Sequence, residues 1–289
     1  MNTINDFKTL ARAISLVEND TDGAENILAN LSTYSMPVVG FTGPPGAGKS
    51  TLLNALVGNL LEEGKKIGLA LVDPSSPFNL GALLGDRLRM STYFNHPHLY
   101  IRSVASRGSL GGLSDKMIEI LEVMRGYPFD YLFVETVGVG QSEVEIAGLA
   151  DTTVVVLVPE AGDGIQAMKA GVMEIADILV INKADRAGAD TLASLLQHQL
   201  QLSGREHIPV LQTVAVEARG IRELLNAIHT LRSSPHNLQR RITLLTEKTL
   251  RLIARKRMRD LCQEEIRQYV EECIMQNTFN LYKAVSRFA

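Results

Sequence analysis

The 289-residue chain is poor in cysteine, holding only Cys262 and Cys273, without a C-x-x-C spacing or a nearby histidine pair. That scarcity argues against a disulfide framework or a structural zinc site and fits a reducing cytoplasm. Positive charge is not in surplus either. The formal net charge is −3, and covering phosphates needs a clear basic excess, so no bulk nucleic-acid binding is expected. Long apolar runs are also missing. The longest uncharged one, near Val154 to Val158, is far too short to span a bilayer, and Met1 to Asp6 show neither a basic n-region nor an apolar stretch. No membrane anchor is expected. The length allows one large domain, an extension and a substantial core.

Against these absences stands one complete motif. The apolar run Pro37-Val38-Val39-Gly40-Phe41 reads as a buried strand and leads into Gly43-Pro44-Pro45-Gly46-Ala47-Gly48-Lys49-Ser50, a phosphate-binding loop. The glycines let successive N–H groups point at one phosphate; Lys49 meets the β/γ oxygens, and Ser50 offers its hydroxyl to magnesium. The helix that follows carries Leu52, Leu53, Leu56 and Leu60 on one side and aims its positive end at the same phosphates. A nucleoside triphosphate is the expected ligand. Its base is named by Asn182-Lys183-Ala184-Asp185, directly after the apolar run Ile178 to Ile181. Alone this could be a strand-end turn. In a phosphate-loop protein it reads as a guanine pocket, because the Asp185 carboxylate can accept from guanine N1–H and the 2-amino group, which adenine cannot supply.

Apolar strand candidates at 37–41, 67–72, 99–104, 131–135, 153–158, 178–181 and 209–213 alternate with helical segments. The expected fold is therefore an α/β domain over 37–232, a mostly parallel sheet with helices on both faces and ligands at the C-terminal strand ends. Before it, residues 1–36 read as two short amphipathic helices capping the domain. A composition break at Ser233 to Asn237 precedes 238–289, with eleven Lys or Arg against six acids and apolar positions at helical spacing. A helical hairpin or two long helices are expected there, serving homodimerisation.

Two strands end in acids near the phosphate loop. Asp73 opens Asp-Pro-Ser-Ser and Glu135 opens Glu-Thr-Val-Gly; either acid can hold magnesium or its waters, and the Gly138 N–H can sense the γ-phosphate. Asp73 has turn capping as its alternative. Asp86 lies in a polar stretch that either closes over the nucleotide or does not. Position 139 is Val where signalling GTPases carry a water-positioning Gln, so intrinsic hydrolysis is expected to be slow. Residues 159–166, with Gln166 and Lys169 on one helix face, are either a third mobile loop or a solvated connector.

The chain resembles the methylmalonyl-CoA mutase-associated GTPases of the MeaB/ArgK type, relatives of the metallochaperone GTPases. The likeness rests on Leu10 to Glu18, G-P-P-G-A-G-K-S-T at 43–51 including Thr51, Asp73 to Ser76, Gly85 to Met90, Arg107 to Gly112, E-T-V-G-V-G-Q-S-E at 135–143, and Asn182 to Asp185. It implies a GTPase chaperone of an adenosylcobalamin-dependent acyl-CoA mutase, coupling GTP state to cofactor loading and protection of the mutase. It also implies that Asp73, Asp86 and Glu135 organise magnesium and the attacking water, that 159–169 signals to the mutase through Asp163, Gln166 and Lys169, and that the C-terminal helices form the homodimer. Gly164 and Ser109 depart from the usual acidic residue and His. The base-side loop Thr213-Val214-Ala215-Val216 lacks the usual Ser, leaving backbone contacts to guanine O6. A nickel or cobalt delivery GTPase and a kinase serving amino-acid transport are the alternatives.

Overall fold

The computed structural model describes residues 6–31, 36–73, 92–105, 116–136, 145–159, 173–232, 235–276 and 278–288. Two short helices come first, α1 (Phe7–Glu18) and α2 (Ala24–Ala29). In α1, Leu10, Ala13, Ile14 and Val17 are buried at the i, i+3, i+4, i+7 spacing of one helix face. Phe7 packs against Tyr100, Tyr127 and Phe129 with ring centroids 5.3, 5.3 and 6.2 Å away.

Then follow β1 (Val38–Thr42), α3 (Lys49–Glu62), β2 (Ile67–Asp73), β3 (Leu99–Ala105), α4 (Met117–Arg125), β4 (Tyr131–Glu135), β5 (Thr152–Leu157) and β6 (Ile178–Ile181). The domain continues with α5 (Ala189–Leu202), β7 (Val210–Gln212) and α6 (Ile221–Arg232). All seven strands join one sheet in the order β3-β2-β4-β1-β5-β6-β7. Every pairing is parallel. The expected strand positions and fold class hold, with limits that differ by one residue or less.

The strands read as continuous apolar runs because helices cover both faces. Val154 and Val156 of β5, with Ile178 and Val180 of β6, join the core under α3 and α6. Their alternate neighbours Val155, Leu157, Leu179 and Ile181 join the core under α5. This is the period-two alternation of a strand, apolar in both directions.

The N-terminal ends of the strands share one closing device. Asp130, Asp151 and Asp177 each stand one residue ahead of a strand, and each exchanges two bonds with the chain at the start of the strand beside it. Asp130 N–H donates to Lys66 O and its Oδ2 accepts Lys66 N–H, both at 2.7 Å. Asp151 does the same with Val38 at 2.8 and 2.7 Å, and Asp177 with Thr153 at 2.9 and 2.7 Å. Arg125 of α4 forms a buried ion pair with Asp151.

The chain divides into two compact units, Met1–Leu244 and Leu245–Ala289, with the boundary inside α7 (Pro235–Arg257). In the first unit Arg240 of α7 pairs with Asp177, and burial lowers the Arg240 pKa. The second unit holds the rest of α7, then α8 (Gln263–Met275) and α9 (Leu281–Phe288). Where one hairpin or two long helices were expected, three helices are described after residue 234. The apolar period stops at Cys273, and the short α9 starts afresh from Asn280, whose Oδ1 accepts Lys283 N–H at 3.1 Å. Within this unit Tyr269 lies against Phe288 at 5.6 Å, and Arg287 sits 4.6 Å over the Tyr269 ring. Met258, Met275, Leu281, Tyr282 and Val285 are exposed.

Candidate nucleotide site

The loop between β1 and α3 is shaped by two glycines that no other residue could replace. Gly43 has φ +139°, and a Cβ there would lie 2.0 Å from Val156 O; Gly48 has φ +86°, and its Cβ would lie 2.4 Å from Asn182 Nδ2. Lys49, the first residue of α3, is 5% exposed and donates from Nζ to Gly43 O at 2.7 Å and Pro44 O at 3.0 Å. Its ammonium is thus held within the loop. Ala47 is buried, Pro45 and Gly46 are exposed, and Thr51 faces outward from α3.

Parallel register brings Glu135 to this loop from the neighbouring strand, since Phe41 of β1 pairs with Glu135 of β4. Glu135 is 8% exposed, and its Oε1 accepts the Ser50 hydroxyl at 2.6 Å. The next residue, Thr136, donates its N–H to Phe41 O at 3.1 Å and its hydroxyl to Thr42 Oγ1 at 3.1 Å, fixing where Glu135 lies. Ser50 and Glu135 offer hard oxygen donors side by side, the donor set that suits magnesium. On the other side of β4, β2 pairs Leu71 with Glu135 and ends two residues later at Asp73. Asp86, Gly138, Asp163, Gln166 and Lys169 lie outside the described residues, so their placement is not part of the observed geometry.

The base motif is built at the ends of β6 and β7. Asn182 is 2% exposed; its N–H donates to Leu157 O at 2.8 Å and its Nδ2 donates to Ala47 O at 2.9 Å. Its Oδ1 accepts the Thr213 hydroxyl at 3.1 Å and the Ala215 N–H at 3.2 Å. One amide therefore ties the phosphate loop to the base-side loop. Lys183 takes a left-handed φ of +56°, and the following Asp185 is exposed at the strand end. In the base-side loop Val214 N–H donates to Arg219 O at 3.1 Å, and Val214 O accepts Glu217 N–H at 3.0 Å. Both polar groups of Val214 are engaged within the turn. Val216 is 82% exposed. Thr213 was not singled out as a ligand by sequence reasoning, and no local signal could have found it, because its partner lies thirty-one positions earlier.

Loop, acid and base motif thus stand at one end of one sheet. The family model described as "Methylmalonyl Co-A mutase-associated GTPase MeaB" matches residues 10–276. The chain belongs to this MeaB GTPase family. It is 49% identical over 231 residues to a putative GTPase of Pyrococcus abyssi, covering 77% of this chain and 71% of that one. It is 38% identical to the GTPase ArgK of Escherichia coli over 76% of this chain and 70% of that protein. Among solved structures it is similar to an LAO/AO transport system kinase, with TM-score 0.68, 27% identity, and coverage of 97% and 91% of the two chains. As a MeaB-family GTPase, the chain binds guanine nucleotide and hydrolyses GTP.

Proposed function

We propose that this GTPase is a chaperone of an adenosylcobalamin-dependent acyl-CoA mutase of the methylmalonyl-CoA mutase type, coupling its GTP state to cofactor loading and to protection of the mutase. The observation that carries the proposal is the family match across residues 10–276, whose description names association with that mutase. The rest of the reading follows from the residues. In hydrolysis, a water oxygen bonds to the γ-phosphorus while the bond to the β-phosphate oxygen breaks, giving GDP and inorganic phosphate. Lys49, already held at the loop carbonyls, would meet the β/γ oxygens. Asn182, Lys183 and Asp185 would hold the guanine, with Val216 and the backbone of 214–215 beside it. Ser50 and Glu135 would hold Mg²⁺, joined by Asp73 and Asp86; when bound, the ion neutralises phosphate charge. Gly138 would sense the γ-phosphate, and Gln166 and Lys169 would act from a third switch. The chain would work in the cytoplasm as a homodimer through residues 238–289, whose exposed Met275, Leu281 and Tyr282 suit burial against a second copy. Residues 1–36 would remain the helical cap of the GTPase domain.

Among the described residues no helix is long and apolar enough to cross a membrane. Metal delivery would need a thiol or imidazole cluster, and among the described residues no group of three or more His, Cys, Asp or Glu is placed to hold a metal ion. The kinase alternative requires phosphate to pass to a protein or small molecule instead of water. GTP turnover by the purified chain, alone and with an adenosylcobalamin-dependent acyl-CoA mutase, tests the proposal. Slow basal release of inorganic phosphate that rises severalfold on adding the mutase is expected. No effect of the mutase on turnover or nucleotide affinity would overturn the client while leaving the GTPase intact.

A further inference from the structure

We propose that Asn54 is a positioning residue of the magnesium site, its amide oxygen accepting a hydrogen bond from a water on the bound ion. The inference rests on the reading of Ser50 and Glu135 as a magnesium-binding pair and not on the identity of the client. Asn54 stands one turn after Ser50 on α3. Residues four apart share a helix face, and helical side chains lean toward the N-terminus, which brings the Asn54 amide toward the turn that carries Ser50. Its Oδ1 is buried and accepts no hydrogen bond among the described residues. Leaving a buried acceptor unmade is costly, and a donor that arrives with the ligand accounts for it.

The neighbours in the same row do not supply that donor. Ser50 has one hydroxyl proton, and it goes to Glu135 Oε1 at 2.6 Å. One turn the other way stands Gly58, where a Cβ would come within 2.5 Å of the Tyr93 hydroxyl oxygen; that hydroxyl is not bonded to Asn54 Oδ1. Nor do the phosphates of a nucleotide, whose oxygens are acceptors. The hydration shell of a divalent cation does: Mg²⁺ keeps several waters when bound, each a donor polarised by the ion. Ser50 and Glu135 would hold such an ion one turn above Asn54. The other unpartnered buried amide oxygen on α3, that of Asn59, lies on the far side of the helix from Ser50 and is out of reach.

The test is the release rate of a fluorescent GDP from the full chain across a series of free Mg²⁺ concentrations, with EDTA as the metal-free reference. Magnesium should slow release from the parent chain. Asn54→Leu keeps the bulk and removes the acceptor. The Mg²⁺ concentration giving half the effect should then rise about three- to tenfold, the loss of one hydrogen bond, while release in EDTA stays that of the parent. Asn54→Asp, which keeps an acceptor oxygen in the same place, should return the midpoint to the parent value or below it. A merely structural amide would speed release equally with Mg²⁺ and in EDTA. That equal acceleration, or an unmoved midpoint in a folded Asn54→Leu, overturns the proposal. A parent chain whose GDP release ignores Mg²⁺ would overturn the metal reading of Ser50 and Glu135 itself, and this inference with it. If the Leu variant does not fold, Asn54→Ala removes the same oxygen and is held to the same outcomes.

Discussion

The two ends of the one sheet use the same chemistry for opposite purposes. At the N-terminal end, the carboxylates of Asp130, Asp151 and Asp177 are engaged by backbone N–H groups, and two of them also by arginines from α4 and α7. At the C-terminal end, Lys49, Glu135 and Asn182 are also bonded within the protein, but to residues of the loop between β1 and α3 and of the first turn of that helix. A polar group at the first end locks strands to each other, whereas one at the second end aims a loop. Substitutions at the two ends should therefore separate: the first kind lowers stability and spares nucleotide selectivity, the second kind alters nucleotide binding.

The largest expected effect breaks the first end. Asp151 and Arg125 have side chains only 2% and 6% exposed. Asp151→Ala leaves the Val38 N–H without its acceptor and the buried Arg125 guanidinium with only its longer pairing to Glu122 at 3.7 Å, and removing one partner of a buried pair costs about 3–5 kcal/mol. Denaturant unfolding should show that loss. A double variant, Arg125→Met with Asp151→Leu, should recover part of it, since the uncompensated charge is gone while Val38 N–H stays unpaired. The preference for GTP over ATP should be unchanged in the chains that fold. A shift in that preference would mean that the two ends are not separable.

Next in size is a break at the second end. Lys49→Ala removes the cation cradled by Gly43 O and Pro44 O and should weaken GTP binding by on the order of a hundredfold or more, read by titration calorimetry. A Lys49→Ala chain that bound and hydrolysed GTP normally would sink the assigned phosphate site.

How much of this contrast could be read in the sequence differs between the ends. The second end was legible because its signals are local. The phosphate loop is eight consecutive residues, Asn182 to Asp185 follow directly on β6, and both sit at strand ends that apolar runs announce. The strands were legible because their burial on both faces leaves unbroken apolar runs. The first end was not, since an aspartate ahead of a strand reads as ordinary turn chemistry until its partner is known, and those partners lie 113 positions away for Asp151 and 64 for Asp130. For the same reason the tie from Asn182 to Ala47 was invisible, at 135 positions. The separate α9 was missed for a different reason: eight residues hold barely two turns, too few for a periodic signal beside the stronger α8.

The smallest expected effect sharpens the comparison by making the same bond in water. Asp6 caps α1, its Oδ1 accepting Thr9 N–H at 2.8 Å and its Oδ2 accepting the Thr9 hydroxyl at 2.9 Å, distances close to the 2.7 Å between Asp151 and Val38 N–H. Its surroundings are exposed, however, so no buried charge is stranded when the cap is lost. The hydrogen bond from Thr9 N–H, foremost, holds the Asp6 pKa below its ordinary 3.8. A carboxylate with a lowered folded-state pKa contributes stability that is fully present above the ordinary value and is lost as pH falls through the lowered one. Hydrogen exchange should therefore show the first turn of α1 better protected in the parent chain than in Asp6→Ala at neutral pH. The difference should fade as the acid range passes the lowered pKa, with no change in guanine-nucleotide affinity at neutral pH. Protection that still differed well below that point would mean that the Asp6 side chain steadies α1 by something other than its charge-assisted cap.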